Sequence, residues 1–504
     1  MATPNKTAYR GIFKATSLFG GVQVYQIFVS VVKSKFIAVL LGPLGVGILG
    51  LYQSALHFIQ SLTSMGLSSS AVRNVSEANG SGDVERIADV VKTLRRLVWC
   101  TGLLGLVVIL AFSPLLSKSS FGNNKHIIPF MCLSITLLLD QICAGQKVVL
   151  QGMRRLKDLA KASAIGSTVS LLVSVPLYYL YGVNGIVPTL ILHSVTLLLL
   201  SWYYARQVSL PLVGQSINET IAKGRNMLAM GLAMSWSGIL VHGCAYLLRG
   251  YIRIETGTEA VGLYTAGFTI INTYVGMIFT AIGTDYYPRL AGVNNNNEKM
   301  KDVVNQQGEI AFLILAPLLV LCIVFMPLLI RFLYSDKFLG ANTFIMIAAV
   351  GMLFKLCSWL IAYQFIAKGD SRLFVVNETV TNIYFFVFNI LGYKIWGLAG
   401  LGLAFALSYL IYSVQVFIIA RNKYNYGFSR EFKRIMLIQF FFVLGCFAVR
   451  MLAGQIVTYI VGFIIVLVSS IYSFRELNKR MELTSFLMHK NNGHDFDIHR
   501  NKIR

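Results

Sequence analysis

Apolar runs of about 20 residues, the length that crosses a hydrocarbon core as a helix, recur from one end of the chain to the other. They lie near residues 14–41, 43–69, 95–116, 126–152, 160–181, 184–205, 226–253, 259–287, 308–334, 340–367, 373–393, 396–420, 434–450 and 452–473. A chain of 504 residues that is 56% hydrophobic and 13% charged, with mean hydropathy +0.66, falls outside the range of soluble domains. The runs are long and continuously apolar. Membrane β-strands would instead be weak segments of about ten alternating residues. The pattern therefore predicts an all-α integral membrane protein with about 14 transmembrane helices. The first run follows Lys6, Arg10 and Lys14 but is too long for a secretory signal and lacks a small-residue cleavage site, so it reads as a retained helix.

The net charge of +23 invites a nucleic-acid reading, but its placement opposes one. With the N-terminus in the cytoplasm, most of the 44 Lys and Arg fall in the N-terminal segment, in every second loop and in the C-terminal tail. That asymmetry places both termini in the cytoplasm. The basic charge then reports topology and attraction to anionic lipid headgroups, with no nucleic-acid partner. All seven cysteines lie inside predicted spans without a CxxC spacing and read as small buried hydrophobes. His489, His494 and His499 lie in a polar tail that reads as solvated, so no metal is expected.

A repeat underlies the spans. Gly42–Ile48 (GPLGVGI) overlays Gly257–Leu263 (GTEAVGL) at an offset that matches Gly42 with Gly257, Val46 with Val261 and Gly47 with Gly262. Both copies sit in the short outward turn between the first two spans of a six-helix set, and each following helix is expected to run to an arginine, Arg73 or Arg289. An even number of spans separates the copies, so the halves share one orientation. Two such lobes around a central site near the midplane are a transporter architecture. The expected organisation is two pseudo-symmetric six-helix lobes around a central cavity, residues 1–207 and 208–421, two further helices in 422–474 and a basic cytoplasmic tail, 475–504.

Helices that line a wet cavity should carry polar residues three, four and seven apart. The first span has Gln23, Gln26, Ser30 and Lys33; the second has Gln53, His57, Gln60 and Ser64. The fourth has Asp140, Lys147, Gln151 and Arg154, the seventh Ser235, His242, Arg249 and Arg253, and the eighth Thr265, Thr269 and Asn272. An ionisable side chain within a span costs about 3 kcal/mol on insertion scales, so such residues usually face a bundle interior or water. Lys and Arg near helix ends can instead snorkel to the interface. Lys33 continues the glutamine stripe, whereas Lys35 points to nearly the opposite side of its helix. Asp140 and Lys147 share a face about 10 Å apart along the axis, a separation that a polar cavity accommodates. Lys355 has no acidic neighbour within a helical turn. A mostly cationic interior suits a ligand with phosphate and many hydroxyls, and it repels drug cations.

The LLGPLGVGILGLYQ turn (Leu40–Gln53), YYPRLAG (Tyr286–Gly292), YSDKF (Tyr334–Phe338) and GMLFKLCSWLIAYQFIAKGDSRLF (Gly351–Phe374) resemble the polysaccharide flippases. These are the O-antigen and enterobacterial-common-antigen translocases of the multidrug, oligosaccharidyl-lipid and polysaccharide exporter superfamily. The resemblance runs over roughly residues 10–420. It implies two six-helix lobes forming a V-shaped cavity, and movement of an undecaprenyl-diphosphate-linked oligosaccharide between leaflets of a bacterial inner membrane. Members often carry an acid shortly before the lysine that matches Lys355, where this chain has Met352. Twelve spans are usual among them, and the lipid II flippases have more.

The expected substrate-binding residues are Lys33, Arg249, Lys355, Lys147, Gln23, Gln26, Gln53, His57, Gln60, His242, Arg253 and Asn272. Coupling to an H+ or Na+ gradient, without a bound cofactor, is assigned to Asp140. The expected partners are the lipid-linked glycan, membrane lipids, and a polysaccharide polymerase with other assembly proteins. An ion-coupled multidrug antiporter would require acidic cavity residues. A membrane glycan polymerase or ligase would require a catalytic constellation on a large outward loop, and the outward loops here are short.

Overall fold

The computed structural model describes residues 6–211 and 213–481, so the tail beyond 481, with its three histidines, lies outside the described residues. Every element among the described residues is helical. Besides short 3-10 turns at Gly182–Gly185 and Asp336–Ala341, these are, in chain order, α1 (Lys6–Thr63), α2 (Leu67–Ser81), α3 (Val84–Phe121), α4 (Ile127–Gly152), α5 (Leu156–Tyr181), α6 (Ile186–Ala205) and α7 (Ile217–Thr256). There follow α8 (Thr258–Thr269), a π-turn (Ile270–Val275), α9 (Met277–Ala291), α10 (Asn297–Leu333), α11 (Asn342–Ala367), α12 (Ser371–Tyr424), α13 (Arg430–Leu452) and α14 (Gln455–Met481).

Ten helices among the described residues are long and apolar enough to cross a membrane. The number is 11 if Ile217–Leu232 and Met234–Thr256, bent by 52°, form one span. The protein is a multi-pass membrane protein. A count of fourteen requires the longest helices to be divided, and the backbone supplies division points. The 58 residues of α1 would reach about 87 Å at 1.5 Å each, far beyond a bilayer core of about 30 Å. At Gly42 (φ 64°, ψ −172°) α1 leaves helical geometry in a conformation open to glycine but not to residues with a Cβ. Gly397 (φ 57°, ψ −137°) interrupts α12, and Gly182 (φ 53°, ψ −130°) stands between α5 and α6.

These breaks expose the repeat at backbone level. Gly257, the expected counterpart of Gly42, has φ 99° and ψ 177° and separates α7 from α8. Gly182 and Gly397 form a second pair at the same offset, within YGVNGI and WGLAGL. Both bounds of α11 lie at that offset from those of α4. The copies differ after their second spans. The second copy runs through α9 to Arg289 as expected. In the first copy the helix stops at Thr63, Met65 and Gly66 take positive φ, and Arg73 lies on the separate helix α2. The expected single helix to Arg73 is therefore corrected. Close packing of Gly66 on the Gly231 backbone accompanies the bend.

By contacts the chain forms two compact units. One comprises residues up to Ile270 with Ile330–Asn342 and Val375–Leu398; the other comprises Ile271–Leu329, Thr343–Phe374 and residues from Ala399 onward. In the first, α3 packs on α4 with Gly102 against Leu138, and the buried Gln141 amide donates to Thr101 Oγ1 at 2.9 Å. The start of α8 packs on α1 reciprocally: Gly47 abuts the Thr258 carbonyl and Gly262 the Pro43 carbonyl. Gly50 meets Thr265, its own repeat counterpart, so a local two-fold relation passes through this contact.

In the second unit, Gly351 packs against Phe405 and Ala406, and Phe312 meets Phe432 and Phe440. The appended helices α13 and α14 are joined by Gln439, which donates to Ser473 at 2.8 Å and accepts from Ser469 at 3.3 Å. At one end of α14, Arg480 binds Glu309 of α10 at 2.8 Å.

Candidate functional site

Two polar cavities lie in the first unit. One, of about 260 Å³, is lined from α1 by Ser30, Lys33, Ser34 and Ile37, residues spaced as one helical face, and beyond the break by Gln53. Tyr178, Thr265, Thr269 and Tyr334 add hydroxyl groups. Lys33 Nζ donates to Ser170 Oγ at 2.8 Å.

The second cavity, of about 430 Å³, is built from three faces with the same helical spacing. From α1 come Gln53, Leu56, His57 and Gln60; from α4, Thr136, Asp140, Cys143 and Lys147; from α6, Leu190, His193, Ser194 and Leu197. Gln53 and Leu190 line both cavities. Asp140 is the carboxylate among their lining residues, set against Lys33 and Lys147. The surroundings are therefore rich in hydroxyl and amide groups and weighted toward positive charge.

Other sequence candidates sit elsewhere. His242 faces His57, with ring centroids 5.7 Å apart. Arg249 donates to Ala245 O in its own helix at 3.2 Å and lies over Tyr264 and Phe268, 5.4 and 5.9 Å from their centroids. Arg253 donates to Ser119 O at 3.2 Å and packs on Gly122, so it caps the C-terminus of α3. Gln23 is exposed, and neither it nor Gln26 is among the lining residues of these cavities. Lys35 donates to Arg331 O and Tyr334 O, each at 2.6 Å, and so caps the end of α10.

Lys355 and Asn272 meet in the second unit, where Lys355 Nζ donates to Asn272 Oδ1 at 2.7 Å. His193, Ser194 and Tyr178 are wall residues outside the candidate set. The spacing Leu190, His193, Ser194, Leu197 is the signal that finds the first two.

The sequence pattern of the family described as polysaccharide biosynthesis protein matches residues 36–343. The chain belongs to this family. The family segment contains the breaks at Gly42, Gly66 and Gly182 and every wall residue of the second cavity. A curated relative, the lipid III flippase of Escherichia coli (strain K12), is 20% identical over 409 residues, covering 79% of this chain and 95% of its own length. Among solved structures, an inward-facing multidrug resistance MATE family transporter of the MOP superfamily has TM-score 0.68 and 15% identity, covering 79% of this chain and 94% of its own. The lipid II flippase MurJ in an inward closed conformation has TM-score 0.62 and 13% identity, with coverage of 92% and 99%. These relatives are flippases and transporters, and the solved structures share the fold of this member of the family.

Proposed function

We propose that the protein is a flippase that moves an undecaprenyl-diphosphate-linked oligosaccharide, the repeat unit of O-antigen or a related surface polysaccharide, from the cytoplasmic to the periplasmic leaflet. The observation that carries this reading is the pair of adjoining cavities, rich in hydroxyls and amides with two lysines and one carboxylate, enclosed by membrane helices in a member of a polysaccharide-biosynthesis family. Lys33 and Lys147 would hold phosphate or acidic groups, while Gln53, His57, Gln60 and the serines would bind sugar hydroxyls. The lipid tail would stay in the bilayer during alternating access. The curated flippase relative supports this choice of cargo.

In this proposal the protein lies in the bacterial inner membrane with both termini cytoplasmic, and residues 1–207 and 208–421 are its two lobes. Asp140 is where an H+ or Na+ gradient would couple. A polymerase would receive the product on the far leaflet. The multidrug-antiporter reading draws on the MATE-like fold, but the two lysines facing the cavities disfavour a cationic drug. Deleting the gene and locating the lipid-linked glycan tests the proposal. Accumulation on the cytoplasmic leaflet is expected. Unpolymerised units accumulating on the periplasmic leaflet would place the protein at a later step and overturn it.

A further inference from the structure

The second unit contains a cation that the proposed cavities do not use. The repeat lays Lys355 of α11 on Asp140 of α4, two helices whose bounds correspond at both ends. At this position the first copy turns a carboxylate toward a cavity, whereas the second encloses an ammonium. Lys355 Nζ is 2.7 Å from Asn272 Oδ1 and lies 5.6, 5.9 and 5.4 Å from the ring centroids of Phe279, Phe405 and Tyr409. One amide oxygen and three ring faces within about 6 Å form a recognition site for an organic ammonium ion.

The amide belongs to a stretch of π-helical backbone. Asn272 lies in the π-turn Ile270–Val275, where Gly276 N reaches back to Ile271 O at 3.1 Å and a Cβ on Gly276 would collide with the Asn272 carbonyl. Turns of this kind are uncommon and occur frequently at functional sites. Asn272 Nδ2 has no hydrogen-bond partner among the described residues, so the contact with Lys355 is the one that orients this amide.

We infer that Lys355 is an internal cation: its ammonium fills an aromatic–amide cage in the second copy of the repeat and thereby fastens the π-turn that interrupts the α-helical geometry of the eighth span. Lys355 is then a positioning residue rather than a substrate ligand. The empty cage of a truncated variant would accept a free primary alkylammonium ion. This assignment rests on the cage and the repeat, and it stands or falls separately from the identity of the transported lipid.

The test uses purified full-length protein in detergent with no lipid-linked substrate present. Lys355→Ala should melt several degrees below the wild type, and amide exchange should rise several-fold within 270–276. Propylammonium chloride should reverse both effects saturably, whereas sodium chloride and propanol should not, and the wild type should not respond. Lys355→Met keeps the side-chain stem and loses the charge; it should show the same local rise in exchange without rescue, because its stem occupies the space. Should Lys355→Ala fail to fold, exchange in Lys355→Met decides the matter. Absence of propylammonium rescue in a folded Lys355→Ala, or unchanged exchange at 270–276 in Lys355→Met, would overturn the assignment.

Discussion

Replacing Gly47 by alanine probes the seam where the two repeat copies meet. A Cβ there would strike the Thr258 carbonyl oxygen, and the Gly262 amide nitrogen lies only 3.0 Å away. Both obstacles are backbone, so no rotamer change relieves them and α1 must separate from α8. Overpacking of a tight interface costs about 1–3 kcal/mol. A central value of about 2 kcal/mol lowers the packed population about 30-fold relative to the separated one. With about 2.1 cal/mol/K of unfolding entropy per residue over 504 residues, it also lowers the melting temperature by about 2 °C. Gly262→Ala should behave alike, because a Cβ there meets the Pro43 carbonyl. One separation relieves both clashes, so the double variant should cost less than the sum of the single ones. Melting curves of the four purified proteins measure this. Wild-type melting of Gly47→Ala, or full additivity in the double variant, would refute the reciprocal contact.

Lys33→Ala and Lys147→Ala should each reduce surface glycan while leaving the amount of protein in the membrane unchanged, as read by glycan blots and membrane immunoblots; normal glycan in the double variant would count against the cavities. Arg253→Ala removes a helix-end interaction of about 1 kcal/mol, so melting should fall while transport by the remaining folded protein persists. His126, the residue that precedes the membrane-spanning helix Ile127–Gly152 in the structure, shares a 2.6 Å hydrogen bond with Tyr52 and stacks on Phe121 at 3.7 Å. Burial, and secondarily Lys125, lowers its pKa from 6.5. The unfolded chain therefore takes up the proton first: the stabilisation is complete above pH 6.5 and is lost as pH falls through the lowered value. The melting temperature should decline below pH 6.5, and His126→Gln should flatten that decline.

Much of the fold is legible in the sequence because its strongest determinants are local. Long apolar runs dictate helices, and the glycines at 42 and 257 mark breaks that other residues resist. The pair Gly182 and Gly397 carries the same information at the same offset, but only a short G-x-x-G likeness advertises it. Applying the offset to single ionisable residues would likewise have paired Asp140 with Lys355.

The cavity walls are legible where polar residues follow helical spacing, as in Gln53, His57 and Gln60, and the opposed directions of Lys33 and Lys35 follow from two-residue spacing. The roles of Arg253 and Lys35 depend on helix ends more than a hundred residues away, and no local pattern encodes such partners. The stop at Thr63 is not legible locally, because the chain beyond it packs at Gly66 on the Gly231 backbone, far away in sequence. His193 is less legible because its wall face sets it between Leu190 and Leu197, although that face has the same period as the others.

The central claim is that these cavities carry a lipid-linked glycan across the bilayer. Its most direct test is to reconstitute the purified protein in vesicles containing undecaprenyl-diphosphate-linked oligosaccharide and to measure how much glycan becomes accessible on the opposite leaflet. The account predicts protein-dependent transfer that falls sharply in the Lys33→Ala/Lys147→Ala variant at equal protein incorporation. Transfer by that variant at the wild-type rate, or no transfer by a correctly folded wild type under an imposed proton or sodium gradient, would contradict it.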